Sequence, residues 1–501
     1  MFDFLIDGFG VALTPLNLGL AFLGAVLGTL FGALPGIGPI NGIAILMPLA
    51  YTLGLPAESA LILLAGVYTG AEYGGRMSSI LLNVPGDAGA VMTTLDGHPL
   101  AKKGLAGPAL GLSAVSSFVG ATIAIIGLTL FAPLLAEVAV MFGPAEFFAL
   151  MVFAFSSMAV MMGKDPIKTA IGAVLGVMIA MVGVDSGTGV LRYTFGMAEL
   201  YDGIDFVVMI IGLFAISEIL LMLEHANRQD ASDEMPPLGR VMVSFKELAY
   251  CKWTMLRCGL IGFIVGVLPG TGASVAGAVS YTTEKRISDK EGTFGTGDMR
   301  GLAAPEAANN ASAAGSFVPM LTLGIPGSGT TAVLLGALML YNITPGPLLF
   351  SERPEVAGGL IASLYIGNVV LLALNLPLAG LFARVLTLPR WVLVPGIAIL
   401  AFAGVYQLNS DLTAIYLMLI IGVFGYLLRK LGFSLAPVIL GYVLGGLMED
   451  NLRRALSISG GDLGILWQSG ISLGLWIAAA LLLVVPWLMA KLLARRSLDG
   501  V

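Results

Sequence analysis

From Ala307 to Ser351 the chain carries no charged residue, yet the middle of that run reads LTLGIPGSGTTAV, Leu321 to Val333. An uncharged run longer than the roughly 20 residues of a bilayer-crossing helix belongs in lipid. A Pro-Gly-Ser-Gly-Thr-Thr cluster at its centre cannot continue a regular helix, because proline removes an amide donor and glycine releases the backbone. Further long uncharged runs occur at Gly8 to Ala57, Gly104 to Ala136, Cys258 to Thr283 and Val356 to Ala383, and another apolar stretch runs from Asp462 to Lys491. Only 11% of the 501 residues are charged and the mean hydropathy is +0.95. A soluble domain usually carries about a quarter charged residues. The chain therefore reads as an all-α polytopic membrane protein of about eleven to fourteen apolar segments, since strand alternation at barrel spacing is absent.

The distribution of Lys and Arg orients such a chain, so the net charge of −6 says little. Asp3 and Asp7 begin the chain and Lys491, Arg495 and Arg496 end it, which favours an outside N-terminus and a cytoplasmic C-terminus. Lys102-Lys103, Lys285-Arg286, Arg429-Lys430 and Arg453-Arg454 read as cytoplasmic helix ends, too scattered to form a nucleic-acid surface. The acidic start and the long first apolar stretch lead us to expect no cleavable signal peptide. Cys251 and Cys258 read as free thiols. His98 and His225 stand far apart, and no HExxH, Walker A or GxSxG pattern occurs. ATP hydrolysis and standard hydrolase chemistry therefore lack support, and no enzymatic activity is expected.

The most polar interior segment, 224–257, separates a first transmembrane repeat, 1–223, from a second one with C-terminal helices, 258–501. The pattern G-x-L-P-G-x-G occurs at Gly32 to Gly38 and again at Gly266 to Gly272, an offset of 234 (266 minus 32). The second Pro-Gly sites, Pro85-Gly86 and Pro326-Gly327, are 241 apart (326 minus 85). Two motifs recurring in the same order point to duplication, and repeats with interrupted helices typify secondary transporters.

Each of the four Pro-Gly sites should break a helix within the membrane, which is tolerated only where protein or a water-filled cavity surrounds the backbone. A helix starting at such a break aims unpaired amides and a partial positive charge into the gap, an anion site that needs no arginine. Ser328, Thr330 and Thr331, with Thr271 and Ser274 in the partner motif, add hydroxyl donors, while Asn41 and Asn83 donate or accept. Carbonyls freed at the breaks suit a hard cation, with Gly38, Asp87 and Gly272 marking the region. The alternative is that these residues only kink packed helices and bond back to the preceding turn.

Glu72, Arg76, Asp87 and Glu306 are charged residues close to these breaks in the sequence or on the segments that precede them. Glu72 and Arg76 stand four apart, the spacing of an ion pair on a helix. Asp87 is a candidate cation ligand that would repel an anion unless a cation or proton intervened. Pro305 and Glu306 read as a helix start, followed by Asn309 and Asn310 as site candidates among small residues.

YTGAEYGGRMSSILLNVPG, the TTLDGHPLAKKG after it, APEAANNASAAG and VPMLTLGIPGSGTTAVLLGA together resemble the large membrane subunit of the tripartite tricarboxylate transporters, the TctA family. The resemblance covers nearly the whole chain. It implies a secondary transporter of the bacterial inner membrane that takes up citrate-like tricarboxylates or related carboxylates, driven by Na⁺ or H⁺. It also implies a small membrane subunit and a periplasmic binding protein as partners, halves inverted relative to one another, and elevator-like movement. The family's Pro-Gly motifs fall here on Pro35, Gly36, Gly38, Pro85, Gly86, Pro269, Gly270, Gly272, Pro326, Gly327, Ser328, Gly329, Thr330 and Thr331. Arg76 and Asp87 depart from the expected pattern and bear on the substrate. A stand-alone cation-coupled carboxylate symporter is the alternative.

Overall fold

The structure, a computed structural model, describes residues 3–161, 165–185, 187–224, 237–386 and 390–498. His225 and the start of the polar segment between the halves lie outside the described residues. The first half runs through α1 (Asp3–Ala12), α2 (Pro15–Ala33), α3 (Gly38–Thr52), α4 (Ala57–Leu82), α5 (Thr93–Leu100), α6 (Ala106–Ala139), α7 (Pro144–Met161) and α8 (Pro166–Ala180). A two-stranded hairpin, β1 (Gly183–Val184) against β2 (Leu191–Arg192), then leads to α9 (Phe206–Ile210), a π-helical stretch at 211–216 and α10 (Ser217–Glu224).

The second half comprises α11 (Phe245–Val267), α12 (Gly272–Ser288), α13 (Met299–Gly315), α14 (Phe317–Leu323), α15 (Gly329–Leu340), α16 (Leu349–Glu352) and α17 (Pro354–Asn375). It closes with α18 (Ala379–Val385), α19 (Arg390–Asn409), α20 (Leu412–Lys430), α21 (Ala436–Ile458), α22 (Ile465–Gln468) and α23 (Gly470–Leu498). Among the described residues, seven helices are long and apolar enough to cross a membrane. At 15 residues, α3 is too short for that, and α15, at 12, is shorter still. The helix α11 runs on through position 257, past the boundary read from the polar segment.

Small residues set the packing of the long helices. A β-carbon on Gly28 of α2 would lie 2.3 Å from the Val67 carbonyl oxygen on α4, and one on Gly32 would lie 2.0 Å from that of Ala71. Nothing larger than glycine lets two backbones meet this closely, the geometry of small-xxx-small packing in membranes. The same contact recurs between α11 and α13. A β-carbon on Gly262 would sit 2.4 Å from the Ala308 carbonyl oxygen, and one on Gly266 would sit 2.4 Å from that of Ser312. Both glycines are displaced by 234 from their counterparts and both carbonyls by 241, the offsets of the two Pro-Gly pairs.

Pro305 does not start a helix. Asp298 caps α13 by accepting from the Arg300 amide at 2.8 Å, and Pro305 sits inside that helix. The Asp-x-Arg start supplies the cap and the first-turn donor, so the proline falls a turn and a half later. Its missing amide is tolerated where neighbouring helices enclose the backbone.

Candidate functional site

All four Pro-Gly breaks meet. The first, between α2 and α3, turns on Gly36 (φ 91°) and Gly38 (φ 62°), and the third, between α11 and α12, turns on Gly270 (φ 77°) and Gly272 (φ 69°). Left-handed values of this kind favour glycine. The second break follows Asn83, a left-handed C-cap at φ 57°, and the fourth follows Gly324, the same cap at φ 68°.

Within each half the two tips are bonded together. The Gly36 amide donates to the Gly86 carbonyl at 3.3 Å, and the Gly270 amide donates to that of Gly327 at 3.0 Å. The residue after each second tip caps the next helical turn: Asp87 Oδ1 accepts from the Ala90 amide at 2.8 Å, and Ser328 Oγ accepts from the Thr331 amide at 3.2 Å. Tyr68 reaches across the halves to Ser328, with hydroxyl oxygens 3.3 Å apart, while Asn309, 241 positions after Tyr68, reaches across to Gly89.

The tips enclose a cavity of about 530 Å³, lined by Gly36 to Asn41, Pro85 to Gly89, Gly272 to Ser274 and Ser328 to Thr330. The first turns of α3, α12 and α15 therefore face a common space, each presenting amides and the positive end of its dipole. Tyr68, Glu72, Phe214 and Arg429 complete the wall, with the 433–436 connection into α21. The volume suits a small organic molecule, and a mostly apolar wall with a few converging polar groups is the usual build of a ligand site.

Several expected residues stand elsewhere. Asn83 is exposed and serves as the helix cap. Thr331 is fully buried, and its hydroxyl is used within the α15 cap, accepting from the Ser328 amide at 2.8 Å and donating to the Ser328 carbonyl at 3.0 Å. Thr271 donates to the Val265 carbonyl at 2.6 Å and so braces the third break from inside. Asn310 donates to the Glu306 carbonyl at 3.3 Å. Pro35, Pro269, Pro326 and Gly327 shape the breaks without lining the cavity. The three cation candidates, Gly38, Asp87 and Gly272, all line it, and a β-carbon on Gly38 would lie 3.4 Å from the Asp87 β-carbon.

Glu72 and Arg76 form no ion pair with each other among the described residues. One turn apart, they leave α4 toward different neighbours: Glu72 faces the cavity, whereas Arg76 packs over the Tyr73 ring, 4.6 Å from its centroid, and donates to Ser117 Oγ at 3.3 Å. Ser117 in turn donates to Glu306 at 3.0 Å, and Thr93 donates to its other oxygen. Glu306 is thus held deep between the halves, 1% exposed. Cys251 and Cys258 are free and buried.

Arg429 does stand at a helix end, in the last turn of α20, but sequence reading left it out of the site. As half of a basic pair at a helix end it marked a boundary, but α20 brings it to the cavity wall, where it donates to Glu218. Glu218 itself packs against Gly36 of the first break. No local pattern signals this, because the partner lies 211 positions away.

The family model for the tripartite tricarboxylate transporter TctA family matches residues 18–440. An uncharacterized 52.8 kDa protein in the TAR-I ttuC' 3' region of Agrobacterium vitis is 42% identical over 494 residues, 98% of this chain and 97% of that protein. An uncharacterized protein in the TAR-II ttuC' 3' region of the same organism is 43% identical over 233 residues, 46% of this chain and 96% of that protein. No solved structure matches. Multiple apolar helices, a glycine-ruled fold and the motif matches agree: the chain belongs to the tripartite tricarboxylate transporter TctA family, a family of membrane transporters.

Proposed function

We propose that the chain is the large membrane subunit of a binding-protein-dependent secondary transporter, carrying citrate-like tricarboxylates or related carboxylates across the bacterial inner membrane. The observation that carries this reading is the convergence of four broken helices on one cavity, two breaks from each half. Ser274, Ser328 and Thr330 offer hydroxyls to the substrate carboxylates beside the first-turn amides of α12 and α15, with Asn41 on the facing α3 turn. Arg429 at the wall attracts the anion and exchanges Glu218 for it. A charge-assisted bond from each of these is stronger than a neutral one.

The halves act as inverted repeats. Equal offsets in the glycine contacts, the tip-to-tip bonds and the caps support the duplication. Family membership supports elevator-like movement, a small membrane subunit and a periplasmic binding protein as partners, and coupling to Na⁺ or H⁺. The N-terminus lies outside and the C-terminus in the cytoplasm.

Proteoliposomes containing this chain, its small subunit and its binding protein test the proposal with labelled citrate. Uptake that needs an inward cation gradient and the binding protein is the expected result. Equal uptake by this chain alone would favour a stand-alone symporter, and no carboxylate uptake under any gradient would overturn the reading.

A further inference from the structure

An anion cavity should not be lined by carboxylates, yet Glu72 and Asp87 both face it. Glu72 is 4% exposed and its Oε2 has no hydrogen-bond partner, and Asp87 Oδ2 has none either. Among the described residues no Lys or Arg forms an ion pair with either. The surrounding charges are committed elsewhere: Arg76 to Ser117 and the Tyr73 ring, Arg429 to Glu218, and Glu306 to Thr93 and Ser117. Ionised together, the buried Glu72 and the half-buried Asp87 would repel each other, and Glu72 would lose several kcal/mol or more of hydration.

A third orphan oxygen stands beside them. Asn309, 2% exposed, is the hydrogen-bonding neighbour of Glu72, and its Oδ1 has no partner although it lies against Gly89 in the cavity wall. A proton on Glu72 can be donated to that amide oxygen, and a bound cation is the other way to satisfy the same atoms. Three acceptor oxygens from α4, the second break and α13 suit a hard cation. No group of three acidic, His or Cys side chains gathers among the described residues, so the multi-carboxylate cage of a dedicated Ca²⁺ site is missing there.

The second half lacks this chemistry. At the offset of 241, Glu72 corresponds to Ala313, Asp87 to Ser328 and Asn309 to Tyr68. Where the first half carries two acids, the second carries an alanine and a serine.

We propose that Glu72, Asp87 and Asn309 hold the coupling Na⁺ on the first-half side of the cavity, leaving the hydroxyl-bearing second-half breaks to the carboxylate. This inference rests on the transporter reading above. Its test uses the purified full chain in nanodiscs with no carboxylate and no partner, comparing thermal unfolding in NaCl, KCl and choline chloride at equal ionic strength. Na⁺ should raise the Tm by several degrees in a saturable way, since a ligand of the folded state stabilises it. The rise should vanish in Glu72→Gln and in Asp87→Ser. Asp87→Ser keeps a capping oxygen, as Ser328 does at the equivalent position, so it separates loss of charge from loss of fold. Asn309→Ala should shift the midpoint to higher Na⁺. A Tm that responds equally to Na⁺ and K⁺, or one that follows pH alone, or a full Na⁺ response in both acid variants, overturns the proposal. Any of those outcomes leaves carboxylate transport to be judged separately by citrate uptake.

Discussion

Replacing Ser328 by alanine separates binding from folding, because its hydroxyl has two jobs. It caps α15 through the Thr331 amide at 3.2 Å, and it stands in the cavity wall. Loss of an N-cap oxygen costs about 1 kcal/mol of stability. Loss of a hydrogen bond to a charged carboxylate costs about 1.5–3 kcal/mol, which weakens binding about 10- to 100-fold. Thr331→Val supplies the control: it breaks the same cap, where the Thr331 hydroxyl accepts from the Ser328 amide at 2.8 Å, but Thr331 does not touch the cavity. Radiolabelled citrate binding and thermal unfolding, measured on both variants in nanodiscs, give two readouts. Both variants should lose a similar amount of stability, and only Ser328→Ala should raise the citrate Kd by the larger factor. If Ser328→Ala binds citrate as the wild type does, or if the two variants weaken binding equally, the hydroxyl is a cap only and the assignment of the fourth break to substrate fails.

Gly32→Ala and Gly266→Ala should destabilise alike, by about 1–3 kcal/mol each, because each added methyl drives into a carbonyl on the packed helix; Gly10→Ala, with nothing within 4 Å, should leave the Tm unchanged. Arg429→Gln should weaken citrate binding and flatten its dependence on ionic strength, whereas Arg429→Lys should keep most of that dependence, both read by binding titrations at two salt concentrations. The β-hairpin should loosen in acid. The Gly187 amide, then the Thr188 hydroxyl and the Arg453 guanidinium, hold the Asp185 carboxyl below its ordinary range. A depressed folded-state value means stabilisation that is present above the unfolded-state value and lost as the pH falls through the depressed one. Hydrogen exchange at 183–192 should therefore rise between neutral and strongly acidic buffer, and an Asp185→Asn variant should remove most of that rise.

Apolar runs, the four Pro-Gly breaks and their paired offsets were legible because each rests on a short pattern in the sequence, and the glycines that let helices touch share the offset of 234. The identity of the lining residues was only half legible. Ser274, Ser328 and Thr330 face the cavity, but Thr331, next to Thr330, and Thr271, three positions before Ser274, turn inward, a choice fixed by helix phase and cap geometry rather than by residue type. Glu72 and Arg76 looked like a pair because four residues bring side chains to one face. Their neighbours decided otherwise, with Ser117 on α6 and the Tyr73 ring on α4 itself drawing Arg76 away. Arg429 and Tyr68 entered the site through contacts more than 200 positions distant in sequence, which no local spacing encodes.

The most direct test of the central claim is an experimental structure of the chain with citrate bound. The account predicts ligand density between the Gly36 to Asn41, Pro85 to Gly89, Gly272 to Ser274 and Ser328 to Thr330 segments, with carboxylate oxygens against the second-half hydroxyls. Citrate bound at a site that touches none of these four segments would contradict it.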